Sequence, residues 1–187
     1  MIGHNGGPSM EAGFGFRKVA WKKARRALLP SLPLEVVRLH VARAKRLGLP
    51  YQTYATIRAT SGRDIVAFLF SGNALEMTPR RITLPEPVAA RIKDLPAGRI
   101  AAVYAPSHPQ AVLQANGGVL DHAFAAPRFT ESWSEMRARL GGALRDHGMP
   151  KDGVVLVAAT AVEREWCGAA DLAGIVPAER FFGHASA

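Results

Sequence analysis

The sequence predicts an α/β protein in two parts, a basic helical N-terminal region followed by a small, largely parallel α/β region. Three observations carry this expectation. Between residues 17 and 47 apolar side chains recur at helical spacing, with Lys and Arg on the opposite side. Beyond about residue 97 the period changes, and short apolar runs alternate with helical patterns. Between the two lies 78–98, TPRRITLPEPVAARIKDLPAG, whose four prolines set it apart from both neighbours.

Taken in order, residues 1–16 (MIGHNGGPSMEAGFGF) hold five glycines and a proline and are expected to form a flexible arm. From Arg17 to Leu29, Ala20, Trp21, Ala24, Ala27 and Leu28 share one arc, while Lys18, Lys22, Lys23, Arg25 and Arg26 fall opposite. Pro30 ends this basic amphipathic helix, and Pro33 suits the first turn of a second, about Leu34 to Leu47, closed by Gly48. Its apolar arc contains Leu34, Val37, Val41 and Ala44; Arg38, Arg43, Lys45 and Arg46 lie mostly on the other face. A third segment, Tyr51 to Thr60, precedes Ser61-Gly62. The run Ile65-Val66-Ala67-Phe68-Leu69-Phe70 reads either as a buried strand or as the second half of a helix-turn-helix. The polar Arg63-Asp64 start favours the helix; the β-branched and aromatic content favours the strand. The basic helical region thus runs over 17–77, with 78–98 as a linker carrying one short helix from Pro87 to Lys93.

In 99–187, Arg99 to Ala105 reads as a strand, Pro109 to Ala115 as a short helix and Val119 to Phe124 as a second strand. Phe129 to His147 reads as a helix, with Ser132 and Glu135 at capping-box spacing. Gly153 to Ala159 is the clearest strand. Thr160 and Glu163 repeat the capping box on a helix ending near Gly174.

Composition narrows the function classes. The 187 residues are 48% hydrophobic with a single cysteine, which suits a folded globule and excludes an intrachain disulfide framework. No stretch reaches the roughly 18 apolar residues of a membrane-spanning helix, and the opening residues have neither a basic n-region nor an apolar core. A cytoplasmic protein is therefore expected. The net charge of +9 is concentrated: residues 17–63 hold twelve Lys/Arg and one acidic residue, Glu35, whereas the remainder is close to balanced. Such asymmetry marks a surface meeting a polyanion, whether nucleic acid, anionic lipid or an acidic protein. The mostly alanine apolar arc of Arg17–Leu29 would give little insertion energy, which ranks the lipid third.

The leading expectation is a nucleic-acid-associated or regulatory binding protein. Its contacts to DNA or RNA phosphates would come from Lys18, Lys22, Lys23, Arg25, Arg26, Arg38, Arg43, Lys45, Arg46, Arg58 and Arg63. One alternative is an enzyme or small-ligand-binding protein with a pocket at the strand C-terminal ends near Ser107, His108 and Thr160. The other is an interaction subunit for an acidic protein. No metal site or cofactor is expected, since the six histidines show no zinc-ligand spacing and Ala158-Ala159-Thr160 lacks the glycines of a phosphate loop. No residue qualifies as a catalytic nucleophile or base, so the non-enzymatic reading is preferred. Cys167 beside Trp166 reads as a small buried hydrophobe. Self-association stays open.

The opening MIGHNGGP, the block Leu32–Leu75 and the ending VVLVAATAVEREW…LAGIVPAERFFG together resemble a family of small alphaproteobacterial proteins to which no activity is attached. The octet alone also resembles the starts of phage-associated proteins, which implies a prophage or gene-transfer neighbourhood. The resemblance implies no catalytic residue.

Overall fold

The computed structural model describes residues 32–183. The chain divides into two compact units, Met1–Arg38 and Leu39–Ala187. Of the first, the described part is the start of helix α1 (Leu34–Arg46), where Arg38 pairs with Glu35 at 2.7 Å on exposed surface. The expected 1–16 arm and the Arg17–Leu29 helix lie outside the described residues.

The second unit is a parallel sheet covered on both faces. The end of α1 leads through Gly48, whose φ of 66° places it in the left-handed region that glycine tolerates, to α2 (Tyr51–Ser61). There follow β1 (Ala67–Ser71), α3 (Glu86–Lys93), β2 (Gly98–Val103), α4 (Pro109–Ala115) and β3 (His122–Ala125). Helix α5 (Trp133–Asp146), a 3-10 turn, β4 (Val154–Ala158), α6 (Ala161–Ala170), β5 (Gly174–Pro177) and α7 (Ala178–Phe182) complete the chain. The strand order is β3-β2-β1-β4-β5 and every pairing is parallel.

The alternation of side chains along the strands explains the two layers. Phe68 and Phe70 of β1, Ala101 and Val103 of β2, and Val155 and Val157 of β4 face a core shared with α1, α2, α3, α4 and α7. Ala67, Leu69, Ile100, Ala102, Val154 and Leu156 face the opposite core, which α5 and α6 close with Leu140, Leu144, Trp166 and Ala169.

The structure corrects four expectations. Residues 65–70 are not the second half of a helix-turn-helix: all five residues of β1 are buried, and the strand pairs with β2 on one side and β4 on the other. A strand covered on both faces needs no polar alternation, which is why its run is uninterrupted. Residues 78–98 do not link two bodies, because they form the β1-to-β2 crossover and bury Leu84, Val88, Ile92 and Leu95 in the sheet's core. Residues 39–77 and 99–183 therefore share one core. In α1, Leu34 and Val41 stay exposed while Ala44 and the following Leu47 are buried, so the helix seats by its last turn rather than along the predicted arc. Finally, the last predicted helix stops at Ala170, and β5 and α7 follow. Both capping boxes form as their spacing predicts, at Ser132/Glu135 and Thr160/Glu163.

Candidate functional site

The first two crossovers place α3 and α4 on one face of the sheet, and the last two place α5 and α6 on the other. The strand order consequently reverses between β1 and β4, and open α/β sheets bind ligands outside the carboxyl ends of their strands at such a reversal. Three loops meet here: Gly72–Asn73 after β1, Tyr104–His108 after β2, and Ala159–Thr160 after β4.

One buried carboxylate joins them. Glu163 is fully buried at the first turn of α6. Its Oε1 accepts hydrogen bonds from Asn73 Nδ2 and the Tyr104 hydroxyl, both at 2.8 Å. Its Oε2 accepts from the backbone N–H groups of Ala159 at 2.8 Å and Thr160 at 2.9 Å. Thr160 Oγ1 in turn accepts from Glu163 N at 3.3 Å. Four donors meet the roughly four lone-pair sites of a carboxylate, which leaves no oxygen open to a cation or a substrate proton. Glu163 is thus a clamp rather than a base. Burial, with Glu163 as hydrogen-bond acceptor, pushes the Tyr104 phenol far above its ordinary value, so it remains a neutral donor at any physiological pH.

Beside this clamp, on the side of Asn73 and Tyr104, is a two-lobed crevice. One lobe, of about 200 Å³, is lined by Gly72, Asn73, Met77, Thr78, Tyr104, Ser107 and Phe129. The other, of about 470 Å³, shares Tyr104, Ser107 and Phe129 and adds His108, Arg128 and Arg139. Gly72 is required by the packing: a Cβ there would stand 3.0 Å from Tyr104 Cδ2 and 3.3 Å from the Ala102 carbonyl oxygen. The Tyr104 ring stacks on Phe129 at 5.7 Å and 11°, and approaches Trp166 at 6.0 Å.

Two of the three pocket residues expected from sequence, Ser107 and His108, line this crevice. Thr160 is set apart as the N-cap of α6. His108 caps α4, its Nδ1 accepting from Gln110 N at 3.3 Å. Sequence reasoning read the Glu163 capping box but not its partners Asn73 and Tyr104. They lie 90 and 59 residues away, and no local spacing signals them.

Among the described residues, four of the expected phosphate-binding cations, Arg38, Arg43, Arg58 and Arg63, face carboxylates of the chain itself. Arg43 donates to Asp64 Oδ2 at 3.0 Å and to the carbonyl oxygens of Pro96 and Ile65 at 3.2 and 2.9 Å. Asp64 also accepts from the Tyr54 hydroxyl at 2.8 Å and faces Arg58 at 3.9 Å. Burial pushes its carboxyl up, but Tyr54, Arg43 and the Ile65 amide outweigh burial and hold it below the usual value. Arg63 pairs with Asp152 at 2.9 Å. Lys45 and Arg46 are exposed on the last turn of α1. Lys18, Lys22, Lys23, Arg25 and Arg26 lie outside the described residues.

Among the described residues no group of three or more His, Cys, Asp or Glu could hold a metal ion, and no helix is long and apolar enough to cross a membrane. Cys167 is half-buried, and burial, with Asp171 nearby, raises its thiol above the ordinary value. No family model, curated protein or solved structure matches this chain.

Proposed function

We propose that this chain is a small-ligand-binding α/β protein whose ligand occupies the crevice over the carboxyl ends of β1 and β2, with Glu163 serving as a structural clamp and not as a general base. One observation carries the reading: the crevice lies over the carboxyl ends of the parallel strands, beside the reversal of strand order, and a buried, fully hydrogen-bonded clamp holds Asn73 and Tyr104 of its wall. A site meant for proton transfer would leave its carboxylate an open lone pair, whereas Glu163 has none. The polar groups that line the crevice, among them Asn73, Thr78, Ser107, His108 and Arg128, suit orientation of a ligand.

The test is to fill the crevice. Ser107→Trp, at a half-buried lining position, is expected to abolish thermal stabilisation by those small fragments that stabilise the wild type, with the circular-dichroism spectrum unchanged. Fragments that still stabilise the tryptophan variant by the same amount would place their site elsewhere and contradict the reading.

A second reading is favoured by the charge distribution, since twelve of the 24 Lys/Arg fall in residues 17–63 against one acidic residue. On this reading the basic segment meets a nucleic acid or an acidic protein. Binding to labelled DNA or RNA should fall steeply with salt and be lost when Lys22, Lys23, Arg25 and Arg26 are all alanine. Affinity indifferent to those substitutions contradicts it, and a protein partner is recognised by its failure to be displaced by DNA or RNA.

A further inference from the structure

We infer that the crevice selects a planar aromatic ring carrying a single acidic group, the ring lying against Phe129 and the acid facing Arg128; this rests on the small-ligand reading above. An exposed phenylalanine at the crevice wall is held by its neighbours. Phe129 is 74% exposed, yet one face of its ring is stacked on Tyr104 at 5.7 Å and 11°. Tyr104 is itself fixed by its hydroxyl, which donates to buried Glu163.

The backbone around Phe129 is anchored from two sides. Ala126 N donates to the Val103 carbonyl at 2.8 Å, and Glu131 N closes a turn on the Arg128 carbonyl at 3.0 Å. Glu131 ties that turn to α5 through Arg139 Nε, at 2.9 and 3.0 Å from its two carboxylate oxygens. A flat aromatic face, immobilised and presented to solvent at a cavity wall, loses little conformational entropy when a planar group stacks on it.

The sign of the ligand follows from the lining charges. Arg139 is neutralised by Glu131, whereas among the described residues no carboxylate lies within ion-pair distance of Arg128. Arg128, which faces no carboxylate among the described residues, offers the larger lobe one guanidinium to match one anionic group, and its planar fork suits a carboxylate or a phosphate oxygen pair.

The test compares four probes by amide chemical-shift titration of the full chain: indole-3-carboxylate, indole-3-carboxamide, acetate and phenyl phosphate. Indole-3-carboxylate is expected to shift amides of Ala105, Ser107 and 126–129 (prolines excepted) with at least about tenfold higher affinity than the carboxamide or acetate. Arg128→Ala should remove that tenfold difference, and Phe129→Ala should weaken acid and amide alike. Both replaced side chains are exposed, so the spectrum of the free protein should otherwise persist. Phenyl phosphate binding as tightly as the indole acid assigns the acid group to phosphate as well as carboxylate; binding more weakly assigns it to carboxylate. Equal affinity for the acid and the carboxamide overturns the inference and leaves the crevice reading standing. Shifts confined to other cavities by every probe overturn both.

Discussion

Glu163 is the only charged residue buried among those described, and it has no cationic partner. Its stability comes from four hydrogen-bond donors and from its place in the first turn of α6, where the helix dipole favours negative charge. Glu163→Gln keeps the shape but puts an amide N–H₂ among groups that all donate, so at least one buried donor loses its acceptor. A destabilisation of about 1–3 kcal/mol in urea unfolding is expected. Tyr104→Phe removes one donor cleanly and should cost about 2 kcal/mol, as befits a hydrogen bond to a charged group. Because the two residues share one bond, the double variant should be less destabilised than the two single effects added together. Strict additivity would show that the clamp is not formed in solution. The capping role of Glu163 was legible from the Thr160–Glu163 spacing. Its role as a clamp was not, because Asn73 and Tyr104 reach it only through the order of the strands.

At the scale of elements, the same distinction separates what sequence could and could not read. Local chemistry announced α4, α5, β4 and the start of α6 through Pro109 and the two capping boxes. It left β1 open between strand and helix, since a central parallel strand shows neither alternation nor a helical stripe. Nor did it announce α7, five residues whose Phe181 packs on Phe68 at 5.1 Å and Phe70 at 5.4 Å, with the Arg91 guanidinium 4.6 Å above its ring. Phe181→Ala should therefore cost about 3–5 kcal/mol by chemical denaturation. A loss below about 1 kcal/mol, the range of surface substitutions, would mean that α7 does not close this core. A second element-level feature joins β3 to the end of α5, where His122 and His147 stack at 4.2 Å and 22°. Burial, and then the neighbouring His122, lowers the pKa of His147, while Asp146 opposes them. The unfolded chain consequently binds more protons than the folded one between that lowered value and about 6.5, the ordinary histidine value. The contribution of His147 to stability is complete above that window and falls as the pH drops through it. Melting temperature should decrease between pH 7.5 and pH 5, and His147→Gln should show a smaller decrease. Equal decreases in the two proteins would remove the histidine pair as the cause.

Across the whole molecule, charge and fold separate. Half of the cationic side chains lie in 17–63, and sequence alone cannot tell which of them are engaged. Arg43 is held by Asp64 and two carbonyl groups, Arg58 lies beside the same carboxylate, and Arg63 bridges to Asp152 across 89 positions of sequence. Arg43→Ala is therefore expected to lower stability by about 2 kcal/mol, because it removes the donor that two carbonyl groups and Asp64 Oδ2 share. Its effect on polyanion binding should be small beside that of the quadruple alanine variant at Lys22, Lys23, Arg25 and Arg26. The reverse ranking would return α1 to the binding surface. The sheet gives the crevice its place, the Glu163 clamp gives it fixed walls, and Phe129 with Arg128 gives it a recognisable chemistry.

The most direct test of a ligand site over the carboxyl ends of β1 and β2 is amide chemical-shift mapping of the wild-type chain with a mixed set of small fragments. Shifts are expected to cluster at Gly72–Thr78, Tyr104–Ser107 and Phe129. Shifts that cluster on α1 and α2, or beside Leu144 and Met149, with the crevice amides unmoved, would contradict it.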